Sequence, residues 1–327
     1  MRIYRGIRAK TSEPCVLTIG NFDGVHLGHK ALLARVRAKA DELGLPATVL
    51  CFEPHPREFF APDTAPPRLC SMWRKMALLQ AAGVDQICMQ RFDAGFSALS
   101  AEDFIRHVIV DGLQARHLMV GDDFRFGRDR SGDFAALQAA GERHGFTVEA
   151  MHTLEVQGER VSSSAVREAL LRGEIEHATR LLGEPFVVEG WVQHGDKIGR
   201  SIGFPTANIR MRQSTLPLSG IFAVTVDGGP LKGAVGAASI GYRPTIGEGL
   251  ALRVEVFVLD FTGDLYGERL SVRFWHKLRD EKKYDSLEAL KAAIGKDCED
   301  VRDWFLNSKA FTAKAQRSAK GREDEHP

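Results

Sequence analysis

The sequence changes character once, near residues 183–185, and that change commits the chain to two differently built halves. Before Gly183, short apolar runs alternate with stretches whose apolar residues recur at helical spacing. After Pro185, strand-like runs follow one another across glycine-rich turns, and helical spacing returns only near the end. The 327 residues suit two domains, since a domain takes roughly 100–200 residues. Apolar residues are 44% of the chain, enough for each half to bury a core of its own.

In the first half, strands are predicted at 16–20, 47–52, 87–89, 117–120 and 146–151. Between the first two, Leu32, Val36, Ala40 and Leu43 fall on one helical face, and Gly44 and Pro46 end the helix. Further helices are predicted around 78–82, from an N-cap at Ser100 through Phe104, Val108 and Ile109, and at 134–140, 165–172 and 175–182. Alternation of this kind predicts an α/β domain: a parallel sheet with helices on both faces, binding its ligand beyond the carboxyl ends of the strands. In the second half, strands are predicted at 186–191, 221–226, 231–238, 253–260 and 270–275, with a hairpin at Asp227-Gly228. These predict a compact antiparallel barrel followed by helices at 287–294 and around Val301, Trp304 and Phe305. The expected domains are 1–183 and 184–309, with the small, polar and charged residues of 310–327 as a disordered tail.

Composition narrows the function classes. A net charge of +1 supplies no general field for nucleic acid, so polyanion binding has to come from local sites. Five cysteines at long spacings, with no CxxC pair, predict reduced thiols in a cytoplasmic protein rather than a disulfide framework. The N-terminus has no apolar run after its charges, and no run of 18 apolar residues occurs, so neither a signal peptide nor a membrane span is expected.

The chemistry-bearing residues cluster just after predicted strands. Gly20-Asn21-Phe22-Asp23-Gly24-Val25-His26-Leu27-Gly28-His29 is a strand end, a glycine turn and a helix start. Free N–H groups and the helix dipole there suit a phosphate, Gly20 and Gly24 allow close backbone approach, and two imidazoles can donate to charge developing at phosphorus. The same residues also fit two surface histidines beside a turn, or a zinc site completed by His55. Phe52-Glu53-Pro54-His55-Pro56 is a proline-stiffened loop that could wall a ligand, or an ordinary turn. Gly121-Asp122-Asp123-Phe124-Arg125-Phe126-Gly127 could touch a base or phosphates, or be a solvated loop. Ser162-Ser163-Ser164-Ala165-Val166-Arg167 could clamp phosphate or simply cap a helix. In the second half, Gly199 to Gly203 leads into Phe204-Pro205-Thr206-Ala207-Asn208. If that segment is extended, the Thr206 and Asn208 oxygens share a side, which suits Mg²⁺ held partly by ATP phosphates. No P-loop or protein-kinase motif accompanies it.

Taken in order, GNFDGVHLGH, FEPHP, GDDFRFG and VSSSAVR resemble the adenylylating module of the bacterial bifunctional riboflavin kinase/FAD synthetase family. HxGH alone marks only the wider nucleotidylyltransferase superfamily. The PTAN segment, Ser239 to Thr245, Arg253 to Phe261, Lys277 to Glu281 and Tyr284-Asp285-Ser286 resemble the kinase module of the same family. The resemblance implies a Rossmann-like domain and a riboflavin kinase barrel that convert riboflavin to FMN and FMN to FAD with ATP and Mg²⁺. It implies that His26 and His29 steady the phosphates, with Asn21, Asp23, Asp123, Arg125, Ser163, Ser164 and Arg167 around the nucleotide. Phe52, Pro54, His55 and Pro56 would meet the flavin of FMN. In the kinase half it implies Glu255 as general base, Gly199, Gly203, Pro205, Thr206 and Asn208 around ATP, Mg²⁺ on Thr206 and Asn208, and Arg279 and Glu281 at the flavin. Riboflavin, FMN, FAD and ATP are the expected partners, with no nucleic acid or membrane, in a monomer or weak homo-oligomer. Two departures stand out: Ser239 where the family often has asparagine, and Phe257 where it often has histidine. Two other functions fit parts of the pattern: a nucleotidylyltransferase for another phosphorylated acceptor with an accessory barrel, or a non-catalytic flavin-binding protein.

Overall fold

The structure, a computed structural model, describes residues 1–7, 13–195, 199, 202–244 and 250–308. The expected tail, 310–327, lies outside them, as does Thr245. The chain forms two compact units: Met1–Arg167 with Leu181–Gly183, and Glu168–Arg180 with the chain from Glu184.

The first unit holds six strands, β1 (Arg2–Arg5), β2 (Cys15–Ile19), β3 (Ala47–Glu53), β4 (Gln86–Arg91), β5 (Ala115–Gly121) and β6 (Thr147–Met151). They form one sheet in the order β1-β4-β3-β2-β5-β6, every neighbouring pair parallel. Its helices include α1 (Leu27–Leu43), α2 (Pro56–Phe60), α3 (Met72–Ala81), α4 (Ala94–Ser97), α5 (Ala101–Phe104) and α6 (Phe134–His144). A short hairpin of β7 (Glu155–Val156) and β8 (Glu159–Arg160) precedes α7 (Ser163–Leu171) and α8 (Ile175–Leu182). Buried on both faces, β2 feeds Cys15, Leu17 and Ile19 into one apolar layer and Val16 into the other. The expected α/β architecture is therefore present. Strand β1 carries no legible signal in the sequence, because it is a four-residue edge strand with arginine at both ends. Ser100 caps its helix as expected, and the helix runs on through 105–110 with a wider π-type turn.

Strand order reverses at β2, which lies between β3 and β5. In a doubly wound sheet this is where ligands bind, at the carboxyl ends of the strands on either side of the reversal. The loops after β2, β3 and β5 are the ones that carry the first three motifs.

The second unit closes a six-stranded antiparallel barrel in the order β10-β13-β12-β11-β14-β9. Its strands are β9 (Phe186–Gln193), β10 (Ala207–Arg210), β11 (Gly220–Gly228), β12 (Leu231–Pro244), β13 (Leu250–Val258) and β14 (Arg269–Arg279). Val254, Val256 and Val258 are buried, whereas Arg253, Glu255 and Phe257 on the opposite face are half-buried. The chain reverses two residues later than Asp227-Gly228 suggests, at Gly229-Pro230, since Gly228 already pairs with Leu231. In place of the two expected terminal helices there is one, α9 (Leu287–Asn307). Gly295 reads as a break because glycine disfavours a helix interior by roughly 1 kcal/mol. Packing of Cys298, Val301 and Phe305 against Ala223, Ala237 and Trp275 outweighs that cost.

Candidate active sites

In the first unit the turn after β2 is held in a strained shape. Phe22, Gly24 and Val25 all have positive φ, at 48°, 79° and 41°. For a β-branched residue this is an outlier costing on the order of 1–3 kcal/mol, and Val25 is held in it by complete burial. Gly24 is also needed for space, since a Cβ there would lie 2.9 Å from Leu69 Cδ1.

That turn delivers His26 to the N-cap of α1, where its Nδ1 accepts the His29 N–H at 3.4 Å. With Nδ1 accepting, a neutral His26 carries its proton on Nε2 and can donate from there. The two rings stack with centroids 3.7 Å apart, and Phe22 lies 4.9 Å from the His29 ring. Burial pushes His26 down to about 4 and drives His29 well below its ordinary value, so both are neutral donors at physiological pH. His29 Nδ1 and Asn21 Oδ1 are buried without a hydrogen-bond partner. Buried polar atoms are rarely left so, and these two are suited to a ligand.

Asp23, by contrast, is fully engaged inside the protein. Its carboxylate accepts the Leu69 N–H at 3.0 Å and the Arg167 guanidinium. Arg167 also donates to the carbonyls of Pro67 (2.7 Å) and Ser163 (3.1 Å). Ser163 Oγ donates to the Asp23 carbonyl at 2.9 Å, while Ser162 caps α7 through the Ala165 N–H and Ser164 is exposed. The residues expected to clamp phosphate thus pin α7 beneath the histidine turn.

After β3, His55 caps α2 in a capping box with Glu58, and Arg68 bridges Glu53 and Glu58. Phe52 packs into an aromatic cluster with Phe92 and Phe96. Asp123 and Arg125 lie on the exposed loop after β5, paired with Arg160 and Asp133 and not with the histidines. One buried cation escapes the motif reading altogether. Lys75 is 6% exposed in α3. Its only sequence signal is its place in the apolar stripe of Met72, Met76 and Leu79.

In the second unit, a cavity of about 870 Å³ lies outside the barrel, lined by Thr206 and Glu255 on one side and by residues 279–297 on the other. Glu255 pairs in register with Asn208 on β10 and with Ser239 on β12, so these three side chains share the outer face. Its carboxylate lies 2.9 Å from Arg253 Nη1 and 3.5 Å from Thr206 Oγ1. An outward-facing strand position and a place in the cavity are thus both true of Glu255. Gly199 also lines the cavity, and Gly203 has a φ of 91°.

Across the cavity, Arg279 is locked to the buried Asp297 through two bonds of 2.7 Å. Glu281 accepts from Ser239 Oγ at 3.1 Å and lies over Gly241, where a Cβ would come within 2.1 Å of its carboxylate. Ser239 therefore meets Glu281. The hydroxyl, amide and carboxylate oxygens of Thr206, Asn208 and Glu255 suit a hard cation such as Mg²⁺. Among the described residues, no three His, Cys, Asp or Glu side chains come together as a metal-binding group.

Comparison with known proteins decides the family. Residues 8–165 match the family model described as FAD synthetase, and residues 182–305 match the one described as riboflavin kinase. A bifunctional riboflavin kinase/FMN adenylyltransferase of Pseudomonas fluorescens is 50% identical over 302 residues, covering 91% of this chain and 96% of that protein. The chain belongs to the bifunctional riboflavin kinase/FMN adenylyltransferase family. Its relative from Escherichia coli K12, with the same description, is 45% identical over 93% of this chain and 98% of its own. A crystal structure described as a macrolide-efflux protein from Streptococcus pneumoniae is 28% identical, with a TM-score of 0.82 over 93% of this chain and all of that one. No described helix of the present chain is long and apolar enough to cross a membrane. Both family modules are present in the order the motifs indicate, adenylyltransferase first and kinase second.

Proposed function

We propose that the barrel unit phosphorylates riboflavin with ATP to give FMN, and that the parallel-sheet unit transfers AMP from ATP to FMN, giving FAD and pyrophosphate. The observation that carries this reading is the pairing of two unlike phosphate-chemistry sites on one chain. One is a neutral histidine pair at a helix N-terminus, and the other a carboxylate facing a cavity beside a threonine hydroxyl.

In the kinase step, Glu255 takes the proton of the riboflavin 5′-hydroxyl as that oxygen attacks the γ-phosphorus, and the bond to the β-bridging oxygen breaks. Gly199, Gly203 and Pro205 shape the nucleotide side. Arg279, braced by Asp297, and Glu281 face the flavin. Thr206 and Asn208 would hold Mg²⁺, which supplies charge neutralisation on the phosphates.

In the adenylyl step, an oxygen of the FMN phosphate attacks the α-phosphorus of ATP and pyrophosphate leaves. Positioning and hydrogen bonding supply the catalysis. His26 donates from Nε2 and His29 from its ring N–H to the phosphates. Asn21 offers its unpartnered oxygen to the nucleotide, with Asp123, Arg125 and Ser164 at the rim. Asp23, Ser163 and Arg167 act by bracing the turn. Phe52, Pro54, His55 and Pro56 form the flavin wall. The functional division falls at 1–183 and 184–309. The enzyme works in the cytoplasm on small molecules, as a monomer or weak homo-oligomer, and its near-neutral charge supports such ligands over nucleic acid.

The test is incubation with riboflavin, ATP and Mg²⁺, with the flavins separated by chromatography. FMN followed by FAD is expected. A folded preparation that yields no FMN refutes the kinase assignment, and one that yields FMN but never FAD refutes the adenylyltransferase assignment.

A further inference from the structure

Arg253 precedes Glu255 by two residues on β13. Val254 and Val256 point into the barrel, so the arginine and the glutamate share the outer face and both line the cavity. Arg253 Nη1 lies 2.9 Å from Glu255 Oε1, and the two side chains are 27% and 26% exposed. As a surface ion pair this would add little to stability. What it does is make the two oxygens of Glu255 unlike. The guanidinium holds Oε1, while Oε2 faces the Thr206 hydroxyl at 3.5 Å, too long for a strong hydrogen bond. One oxygen is fixed, and the other is presented on the threonine side of the cavity.

The neighbouring strand places a second carboxylate beside the same arginine. On β12, Gly241 stands directly opposite Arg253 and Ser239 directly opposite Glu255. Opposite residues on one face of a ladder have Cβ positions about 4.5–5.5 Å apart. Gly241 supplies no side chain, and the carboxylate of Glu281 occupies the space its Cβ would need. Ser239 Oγ holds Glu281 there at 3.1 Å. Arg253 thus has Glu255 beside it along its own strand and Glu281 facing it across the ladder. Two carboxylates on one cavity wall repel each other, and a guanidinium next to both offsets that repulsion. Filling the cavity with substrates removes water and strengthens the hold on Glu255.

We propose that Arg253 is a positioning residue for the kinase step: it ties down Oε1 of Glu255, so that Oε2 is the atom that takes the proton of the riboflavin 5′-hydroxyl. This rests on the assignment of Glu255 as the general base. As the proton passes to Oε2, the hydroxyl oxygen forms its bond to the γ-phosphorus of ATP. The bond from that phosphorus to the bridging oxygen breaks, and its electron pair leaves with ADP. Arg253 takes no part in bond making. Without it the glutamate side chain can rotate away from the hydroxyl, and a base is effective only when it is aimed.

Arg253→Leu, Arg253→Lys, Glu255→Gln and the double variant Arg253→Leu/Glu255→Gln test this in the full-length protein. Arg253→Leu is expected to lower kcat for riboflavin phosphorylation by about 10–100-fold, with KM for riboflavin and ATP changed far less. Its melting temperature, and FAD formation from supplied FMN, should match wild type. Arg253→Lys should recover most of the rate, because a single N–O contact does not need the guanidinium fork. Added to Glu255→Gln, the leucine substitution should cost nothing further, since the arginine acts through the carboxylate. A kcat unchanged in Arg253→Leu overturns the proposal, as does a loss that adds in full to that of Glu255→Gln. So does an Arg253→Leu variant that melts well below wild type with Arg253→Lys equally inactive, because the arginine then holds the barrel and not the base. Wild-type kinase activity in Glu255→Gln removes the general-base assignment itself, and the proposal with it, whatever the arginine variants do.

Discussion

Arg167 donates from Nη2 to the carboxylate of Asp23 across 144 residues of sequence, and both side chains are buried. The pair joins the start of α7 to the turn that presents His26. It is a tertiary brace within the sheet unit, drawn from residues whose sequence context resembles a phosphate clamp.

Removing one partner should therefore cost more than an ordinary surface change. Arg167→Met leaves Asp23 charged and buried, and is expected to destabilise the sheet unit by about 3–5 kcal/mol. The double variant Asp23→Asn/Arg167→Met should recover part of that loss. Urea denaturation of the three variants measures the coupling, and additive losses would show that the two side chains do not act as a pair.

His26 makes stability depend on pH. Its imidazole titrates near 6.5 when unfolded and about 4 when folded, because burial disfavours the charged form. Between those values the unfolded chain holds the extra proton, so stability present above pH 6.5 is lost as pH falls toward 4. The shift corresponds to about 3 kcal/mol. His26→Asn, which retains a capping side chain, should flatten the curve in that window. Parallel slopes for the variant and wild type would contradict the assignment.

His29→Ala removes one phosphate donor without touching the barrel unit. FAD formation is expected to fall by about 10²–10³-fold, with FMN accumulating from riboflavin. Chromatography of a timed reaction decides this, and undiminished FAD would exclude His29 from the chemistry.

Thr206→Ala should act in the opposite half, stopping FMN formation while supplied FMN is still adenylylated. A loss of about a hundredfold or more is expected, and chelation of Mg²⁺ should abolish kinase activity until the ion is restored. Wild-type kinase rates from Thr206→Ala, or kinase activity that survives chelation, would remove Thr206 or the metal from the mechanism.

Much of this was legible in the sequence because it is local. Strand and helix periods set the α/β half, the hairpin and barrel strands showed as short runs between glycines, and the ordered motifs pointed to the two chemistries. Histidines at i and i+3 on a helix start must lie near each other, so the stack of His26 on His29 has a local origin. Local signals also failed where packing overruled them. Gly295 reads as a break yet lies inside α9, and the arginines of β1 hide an edge strand.

The sequence by itself determined the two-part architecture, the family motifs and the residue types at each strand end. Only the tertiary structure decided what those residues touch. It spent the charge of Arg167 on Asp23 and turned Glu255 outward yet into a cavity beside Thr206. The reason is physical: the cost of a buried charge depends on partners brought together from distant parts of the chain, and no local pattern encodes them.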